Sequence, residues 1–316
     1  MKPIFLCILT LLFLINQQSF SQTFCENAKT PSSIAGETEK LVYKKYGGKS
    51  KEEKNLHIAL VRPNDRLPIK KRPLIIGVHG SGFVNSCLLE PCYLKYNEKI
   101  LKPNFVAQGY ITASVQYRLA SPLDFVSLKI KEEKVRELSY QATQDLRDAI
   151  KFIFADAEKL GVDKENVFLI GTSAGAISVL HAGFLDNDEV PKDLLEKHGR
   201  LAAREKIRGI IGISGALDDL SYLGGGDKIP LMLAHGREDS IVPAEKGSYL
   251  KIKSFAPVYG GKAIFDEALK RGIEAKGFFY DFGHEIPRTF QTEIFKNAGD
   301  FVRSHLSCAN AAKREE

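Results

Sequence analysis

Ser173 sits at the centre of Gly171-Thr172-Ser173-Ala174-Gly175, directly after the apolar run Val167-Phe168-Leu169-Ile170 and directly before a run of helical character. A serine between glycines at a strand-to-helix junction is driven to the tip of a sharp turn, with its hydroxyl above the sheet edge beside the helix N-terminus. Such a hydroxyl attacks a carbonyl only if a base takes its proton and a carboxylate orients the base. Among seven histidines, His284 is the candidate base. It lies in Tyr280-Asp281-Phe282-Gly283-His284-Glu285, just past the last strand candidate and therefore at the carboxyl edge of the sheet, where ligands bind in layered folds of this kind. His57 in an early strand, His198 in a charged segment and His305 in a helix read as packing or surface residues.

The orienting acid belongs after an earlier strand. The segment Leu231-Met232-Leu233-Ala234-His235-Gly236-Arg237-Glu238-Asp239 offers Asp239 in the turn that follows an apolar strand, giving the chain order Ser, Asp, His. Glu238 and Asp281 compete: Glu238 requires the turn to shift by one residue, and Asp281 is so near His284 in sequence that it can hardly face the ring. Attack on a carbonyl also creates an oxyanion, which needs preorganised donors worth roughly 3 kcal/mol each. Val78-His79-Gly80-Ser81-Gly82-Phe83 is a glycine-rich turn straight after a strand, so the amides of Ser81 and Gly82, with that of Ala174 after the nucleophile, are the candidate donors. Gly80 and Gly82 let the loop take this path, and His79 is expected to hold it rather than to transfer protons.

These groups must be carried by a sheet. Short apolar runs at Leu56–Val61, Leu74–Val78, Ile111–Gln116, Val167–Ile170, Ile207–Ile213, Leu231–Ala234 and Ala275–Tyr280 alternate with helical periodicity at Arg136–Lys159, Ala174–Phe184, Gly261–Lys270 and Pro287–His305. That alternation predicts an α/β fold with a mainly parallel central sheet and helices on both faces. The charged stretch Phe184–Lys206 reads as a solvated helix or as part of a lid or surface insertion.

At these residues the chain resembles the hormone-sensitive-lipase-like branch of bacterial α/β-hydrolase carboxylesterases and acetyl esterases, over roughly residues 55 to 305. His79-Gly80-Ser81-Gly82-Phe83 is similar to that family's His-Gly-Gly-Gly-aromatic loop, Gln116-Tyr117-Arg118-Leu119 to its Asp-Tyr-Arg-Leu, and Gly171-Thr172-Ser173-Ala174-Gly175 to its Gly-Asp-Ser-Ala-Gly turn. Asp239-x-x-Val242-Pro243 and Gly283-His284 match its acid and base segments. The resemblance implies hydrolysis of carboxylic esters through an acyl-enzyme without metal or cofactor. Three departures stand out: Ser81 replaces a glycine, Thr172 replaces an acidic residue, and about 45 residues separate Asp239 from His284. The extra length, around Ser248–Gly261, is expected to add a wall to the site.

The N-terminus reads Met1-Lys2-Pro3, then an apolar run from Ile4 to Ile15, then a polar patch ending Ser19-Phe20-Ser21. This predicts a signal peptide over residues 1–21, cleaved after Ser21, and a secreted or periplasmic protein formed by residues 22–316 as one α/β-hydrolase domain. The apolar run is too short for a membrane span of roughly 20 residues, and Thr23-Phe24 before Cys25 does not form a lipid-attachment box. Loss of Cys7 with the leader leaves four cysteines, for which we expect Cys87 paired with Cys92 and Cys25 with Cys308. They lack the spacing of a zinc site. A formal charge of +6, from 45 basic and 39 acidic residues dispersed along the chain, argues against a nucleic-acid partner. The expected partner is a small or polysaccharide-linked ester, acetyl or feruloyl in class. A serine peptidase of the same superfold and a noncatalytic binding module on a hydrolase scaffold are the competing readings.

Overall fold

The computed structural model describes residues 34–48, 51–64, 71–87, 89–121 and 131–308. The expected leader peptide and Cys25 lie outside the described residues. Strands β1 (Ile34–Gly48) and β2 (Lys51–Asn64) form an antiparallel pair. Strand β2 pairs antiparallel with β4 (Ile111–Val115), and every later pairing in the sheet is parallel: β4 with β3 (Arg72–Val78), β3 with β5 (Val162–Thr172), then β6 (Gly209–Ile213), β7 (Leu231–Gly236) and β8 (Ala275–Tyr280). The order across the eight strands is β1-β2-β4-β3-β5-β6-β7-β8.

Burial explains the continuous apolar runs. Val167, Phe168, Leu169 and Ile170 are all fully buried, because successive side chains point to opposite faces and both faces are covered. Leu74, Ile76, Val167 and Leu169 enter one core with α2 (Glu132–Ala155), α3 (Ala174–Phe184) and α5 (Gly261–Lys270). Ile75, Phe168 and Ile170 enter the other, with α6 (Arg288–His305) and α1 (Cys92–Tyr96), which continues through a π turn to Phe105. Along α2, Leu138, Ala142, Leu146, Ala149, Ile150 and Ile153 recur at three- and four-residue spacing and form its buried stripe, while Glu132 and Glu133 lie in the first turn, where helix polarity favours acids.

Several elements differ from expectation. Strand β1 was not foreseen: Glu37, Glu39, Lys40, Lys44 and Lys45 break up its apolar pattern, as befits an edge strand that must not recruit another chain. Strand β5 starts at Val162 rather than Val167, because the polar Asp163-Lys164-Glu165 extends past the apolar core. Helix α2 begins at Glu132 and ends at Ala155, earlier at both ends than Arg136–Lys159. Within the Phe184–Lys206 stretch only α4 (Lys192–His198) is helical. Leu185, Val190, Leu194 and Leu201 bury against Tyr140 of α2, and the Tyr140 hydroxyl donates to Gly199 O at 2.7 Å, so the stretch is docked on that helix.

Of the expected disulfides, Cys87–Cys92 is present. Cys308, which packs on the α1/α6 core, is also disulfide-bonded, and its expected partner Cys25 lies outside the described residues. Among the described residues, no helix is long and apolar enough to cross a membrane, and no group of three or more His, Cys, Asp or Glu side chains could hold a metal ion.

Candidate active site

The candidate nucleophile stands between β5 and α3. Ser173 has φ 55° and ψ −123°, a conformation that side chains rarely adopt, at a cost of order 1–3 kcal/mol. The surrounding fold over-determines it. A Cβ on Gly175 would lie 2.1 Å from Val78 O and one on Gly171 would lie 2.2 Å from Gly175 O, so only glycines allow β3, the end of β5 and the start of α3 to close up. The Ser173 amide donates to Ile213 O on β6 at 2.8 Å, which anchors the turn to the sheet.

The candidate base His284 and candidate acid Asp239 come from loops after β8 and β7, at the same carboxyl edge. Their backbones are joined: Arg237 N donates to Tyr280 O at 2.8 Å and Glu238 N to Phe282 O at 3.1 Å. Ser173 Oγ lies 2.8 Å from His284 Nε2, and His284 Nδ1 lies 2.7 Å from Asp239 Oδ2. The other carboxylate oxygen of Asp239 accepts the amides of Ile241 and Val242, each at 2.9 Å. The competing carboxylates are elsewhere: Glu238 is exposed, and Asp281 is an exposed partner of Arg237 at 2.8 Å. Burial pushes the Asp239 carboxyl up, but hydrogen bonds from His235, His284 and the Val242 amide outweigh burial and hold it well below the usual carboxylate range. It therefore stays ionised through the neutral range.

The glycine-rich loop after β3 lies against the nucleophile: a Cβ on Gly80 would come within 3.2 Å of Ser173 Cβ. Ser81, Gly82 and Phe83 all have positive φ, at 90°, 61° and 62°. Among the described residues no carbonyl accepts the amides of Ser81, Gly82 or Ala174. For Ala174 this follows from its place as the first residue of α3, whose amides have no partner within the helix. The Ser81 hydroxyl, which a glycine would lack, donates to Val84 O at 2.8 Å and so closes the loop.

Two residues brace this loop from beneath. His79 is buried, its Nδ1 lies 2.7 Å from Gly80 O, and its ring stacks on Tyr117 at 4.6 Å. The Tyr117 hydroxyl donates to His79 O at 2.9 Å and to Gly80 O at 3.1 Å. Nothing in Gln116-Tyr117-Arg118-Leu119 itself assigns Tyr117 a role; the tertiary contact supplies one. Next to Tyr117, Arg118 grips the fully buried Asp145 through Nε and its amide, and Lys44 of β1 reaches the same carboxylate at 2.7 Å, so the segment is fastened to α2. Tyr117→Phe should lower kcat about tenfold with little change in fold, by loosening the glycine-rich loop through loss of a buried hydrogen bond worth about 1 kcal/mol. Steady-state kinetics alongside thermal unfolding checks this, and an unchanged kcat would remove Tyr117 from the loop's support.

His79 also makes stability depend on pH. Burial pushes its imidazole down to about 4 from the ordinary 6.5, against the raising effect of its bond to Gly80 O. The unfolded chain thus takes the proton first as pH falls. The contribution of neutral His79 is fully present above about 6.5 and is lost as pH falls toward 4, a loss of roughly 3 kcal/mol. Urea unfolding at pH 7.5 and pH 4.5 should show this loss in the native chain and much less of it in His79→Gln; equal pH dependence in both would refute the assignment.

The segment between Asp239 and His284 is built rather than loose. Ala216–Leu217, Val258–Gly260 and Lys246–Gly247 form a small antiparallel sheet. Its connection borders a cavity of about 310 Å³ next to Asp239, lined by Ser240, Pro243, Gly247, Ser248, Lys251 and Lys253. A larger cavity of about 570 Å³ opens at the opposite, amino-terminal edge of β6, β7 and β8.

An eight-stranded sheet in this order, with a serine at the turn between its fifth strand and the next helix, defines an α/β-hydrolase. Solved structures share this fold: a thermophilic esterase of Thermogutta terrifontis with propionate bound has TM-score 0.57 at 18% identity, over 84% of this chain and 93% of that one. A hyperthermophilic esterase of Pyrobaculum calidifontis has TM-score 0.53 at 17% identity, over 98% and 99%. The BD-FAE family model matches residues 64–228, more than half of the sequence, and the chain belongs to the BD-FAE family. Probable carboxylesterase 1 of Arabidopsis thaliana is 27% identical over 161 residues, which are 47% of this chain and 45% of that relative, so the match spans less than half the relative's length.

Proposed function

We propose that the protein is a secreted serine carboxylic ester hydrolase acting on short-chain or carbohydrate-linked esters, acetyl or feruloyl in class. His284, oriented by Asp239, takes the Ser173 proton as Oγ attacks the ester carbonyl. The oxyanion meets the amides of Ser81, Gly82 and Ala174, and the imidazolium then protonates the departing alcohol. Water, deprotonated by His284, attacks the acyl-enzyme carbonyl; the tetrahedral adduct collapses, the proton returns to Ser173 and the acid is released. The observation that carries the reading is the unbroken path from Ser173 Oγ to His284 Nε2, 2.8 Å, and from His284 Nδ1 to Asp239 Oδ2, 2.7 Å, beside three amides that no carbonyl accepts among the described residues.

Support for ester chemistry comes from family membership and from the carboxylesterase relative. Support for a short acyl group comes from the propionate held by one structural neighbour. Export rests on Met1–Ser21, whose charge and apolar pattern are those of a cleaved leader. The test is a panel of acetyl, butyryl, octanoyl and feruloyl esters with acetylated xylan, run beside an aminoacyl-peptide substrate. Acetyl or feruloyl esters should be turned over fastest, with Ser173 labelled by a fluorophosphonate. Preference for the peptide would favour the peptidase reading, and an unlabelled serine in folded protein the noncatalytic one.

A further inference from the structure

Behind Asp239 lies a second histidine that the mechanism above does not use. His235, near the end of β7, is fully buried. Its Nδ1 accepts the amide of Gly261 at 3.1 Å, so that nitrogen carries a lone pair and the ring proton resides on Nε2. Nε2 faces two acceptors at once: Val242 O at 3.0 Å and Asp239 Oδ2 at 3.2 Å. Oδ2 is also the oxygen that holds His284 Nδ1, at 2.7 Å. We propose that His235 is a positioning residue for the reaction, a tautomer-locked donor that shares Asp239 Oδ2 with His284 and extends the proton path to four side chains. The inference rests on the triad reading given under Proposed function.

The arrangement does two things. It leaves the Asp239 carboxylate no freedom to turn, since the Ile241 and Val242 amides hold Oδ1 while two imidazoles hold Oδ2. It also draws part of the negative charge of Oδ2 toward a neutral donor, so the carboxylate orients His284 without over-stabilising the imidazolium. Among the described residues, Asp239 and, through it, His284 are the titratable side chains bonded into this group.

The long segment between acid and base then has a use. Gly261 is the first residue of α5, and its amide, free of any helical partner, is aimed at His235 by the small sheet that ends at Gly260. Gly260 N donates to Glu245 O at 3.0 Å and Lys262 N to Ala244 O at 2.9 Å, which straps this helix start to the turn carrying Asp239. The positive end of α5 further disfavours a proton on Nδ1.

Two substitutions separate the donor from its packing. His235→Gln can place an Nε2 donor near Asp239, whereas His235→Asn keeps an acceptor for the Gly261 amide and loses the donor. The Asn variant should lose about ten- to a hundredfold in kcat with KM little changed, as supporting partners of reactive groups do. Its acidic limb in kcat/KM should move up by about 0.5 to 1 pH unit, and the Gln variant should recover most of both. A wild-type acidic limb in the Asn variant, or identical losses in the two, would overturn the proposal. ¹⁵N-histidine spectra of the wild-type protein supply a measurement independent of variant folding: an Nε2–H tautomer is expected for His235, and an Nδ1–H form would overturn it too. Ser173→Ala, run in parallel, tells the two failures apart, because turnover surviving in that variant sinks the triad itself, whereas its loss beside unaltered His235 variants sinks only the fourth member.

Discussion

Replacing Ser173 by alanine should lower kcat on its best ester by about a million-fold, the scale on which an isolated nucleophile of this kind is lost. The structure gives the reason for expecting so large an effect without a change in fold. The hydroxyl's partner among the described residues is His284 Nε2, while the strained turn is held by the Ser173 amide on Ile213 O and by the close approach of Gly175 to Val78. Alanine keeps all of those backbone contacts. Thermal unfolding should therefore move little, and the burst of alcohol from a chromogenic ester should vanish. A residual rate of about 10³ to 10⁴ over water is expected from binding and the donor loop alone. Turnover close to that of the native chain would show that another residue makes the acyl-enzyme.

The second large effect is expected for Asp239→Asn, about 10⁴-fold in kcat. The direction of the new amide is dictated by the turn. The amides of Ile241 and Val242 need an acceptor, so the asparagine carbonyl takes the Oδ1 place and its NH₂ occupies that of Oδ2. There it meets two imidazole nitrogens, His284 Nδ1 and His235 Nε2, that both donate in the native arrangement. His284 answers by moving its proton to Nε2, which then points a hydrogen at Ser173 and can no longer accept one. The loss should appear in kcat at every pH at which the native enzyme works, with KM nearly unchanged. Recovery of activity merely by raising pH would contradict a tautomeric cause.

The parts of this site that were legible in the sequence are those with a local steric or periodic cause. Gly171-Thr172-Ser173-Ala174-Gly175 after an apolar run specifies a sharp turn because a Cβ at either glycine would strike backbone. His284 and Asp239 were found because each follows a buried strand, and all parallel strands deliver their following loops to one edge. Strand β1 escaped notice because an edge strand rich in charge has no apolar run to betray it. Tyr117 and His235 have no role legible in the sequence, since nothing in the residues beside them indicates that a hydroxyl will reach His79 O and Gly80 O, or that an imidazole will reach Asp239.

By itself, then, the sequence determined the alternation of parallel strands and helices, the serine at the turn, and the succession of Ser173, Asp239 and His284. Those follow from side-chain sterics and hydrophobic period over a few neighbouring residues. The tertiary structure decided which carboxylate faces His284, choosing Asp239 over the exposed Glu238 and the Arg237-bound Asp281. It also decided that Tyr117 braces the glycine-rich loop and that the α5 amide of Gly261 reaches His235 Nδ1. Such pairings depend on the register of parallel strands and on how far each loop folds back over the sheet edge. Both are set by packing between elements distant in the chain, and no local pattern of residues encodes them.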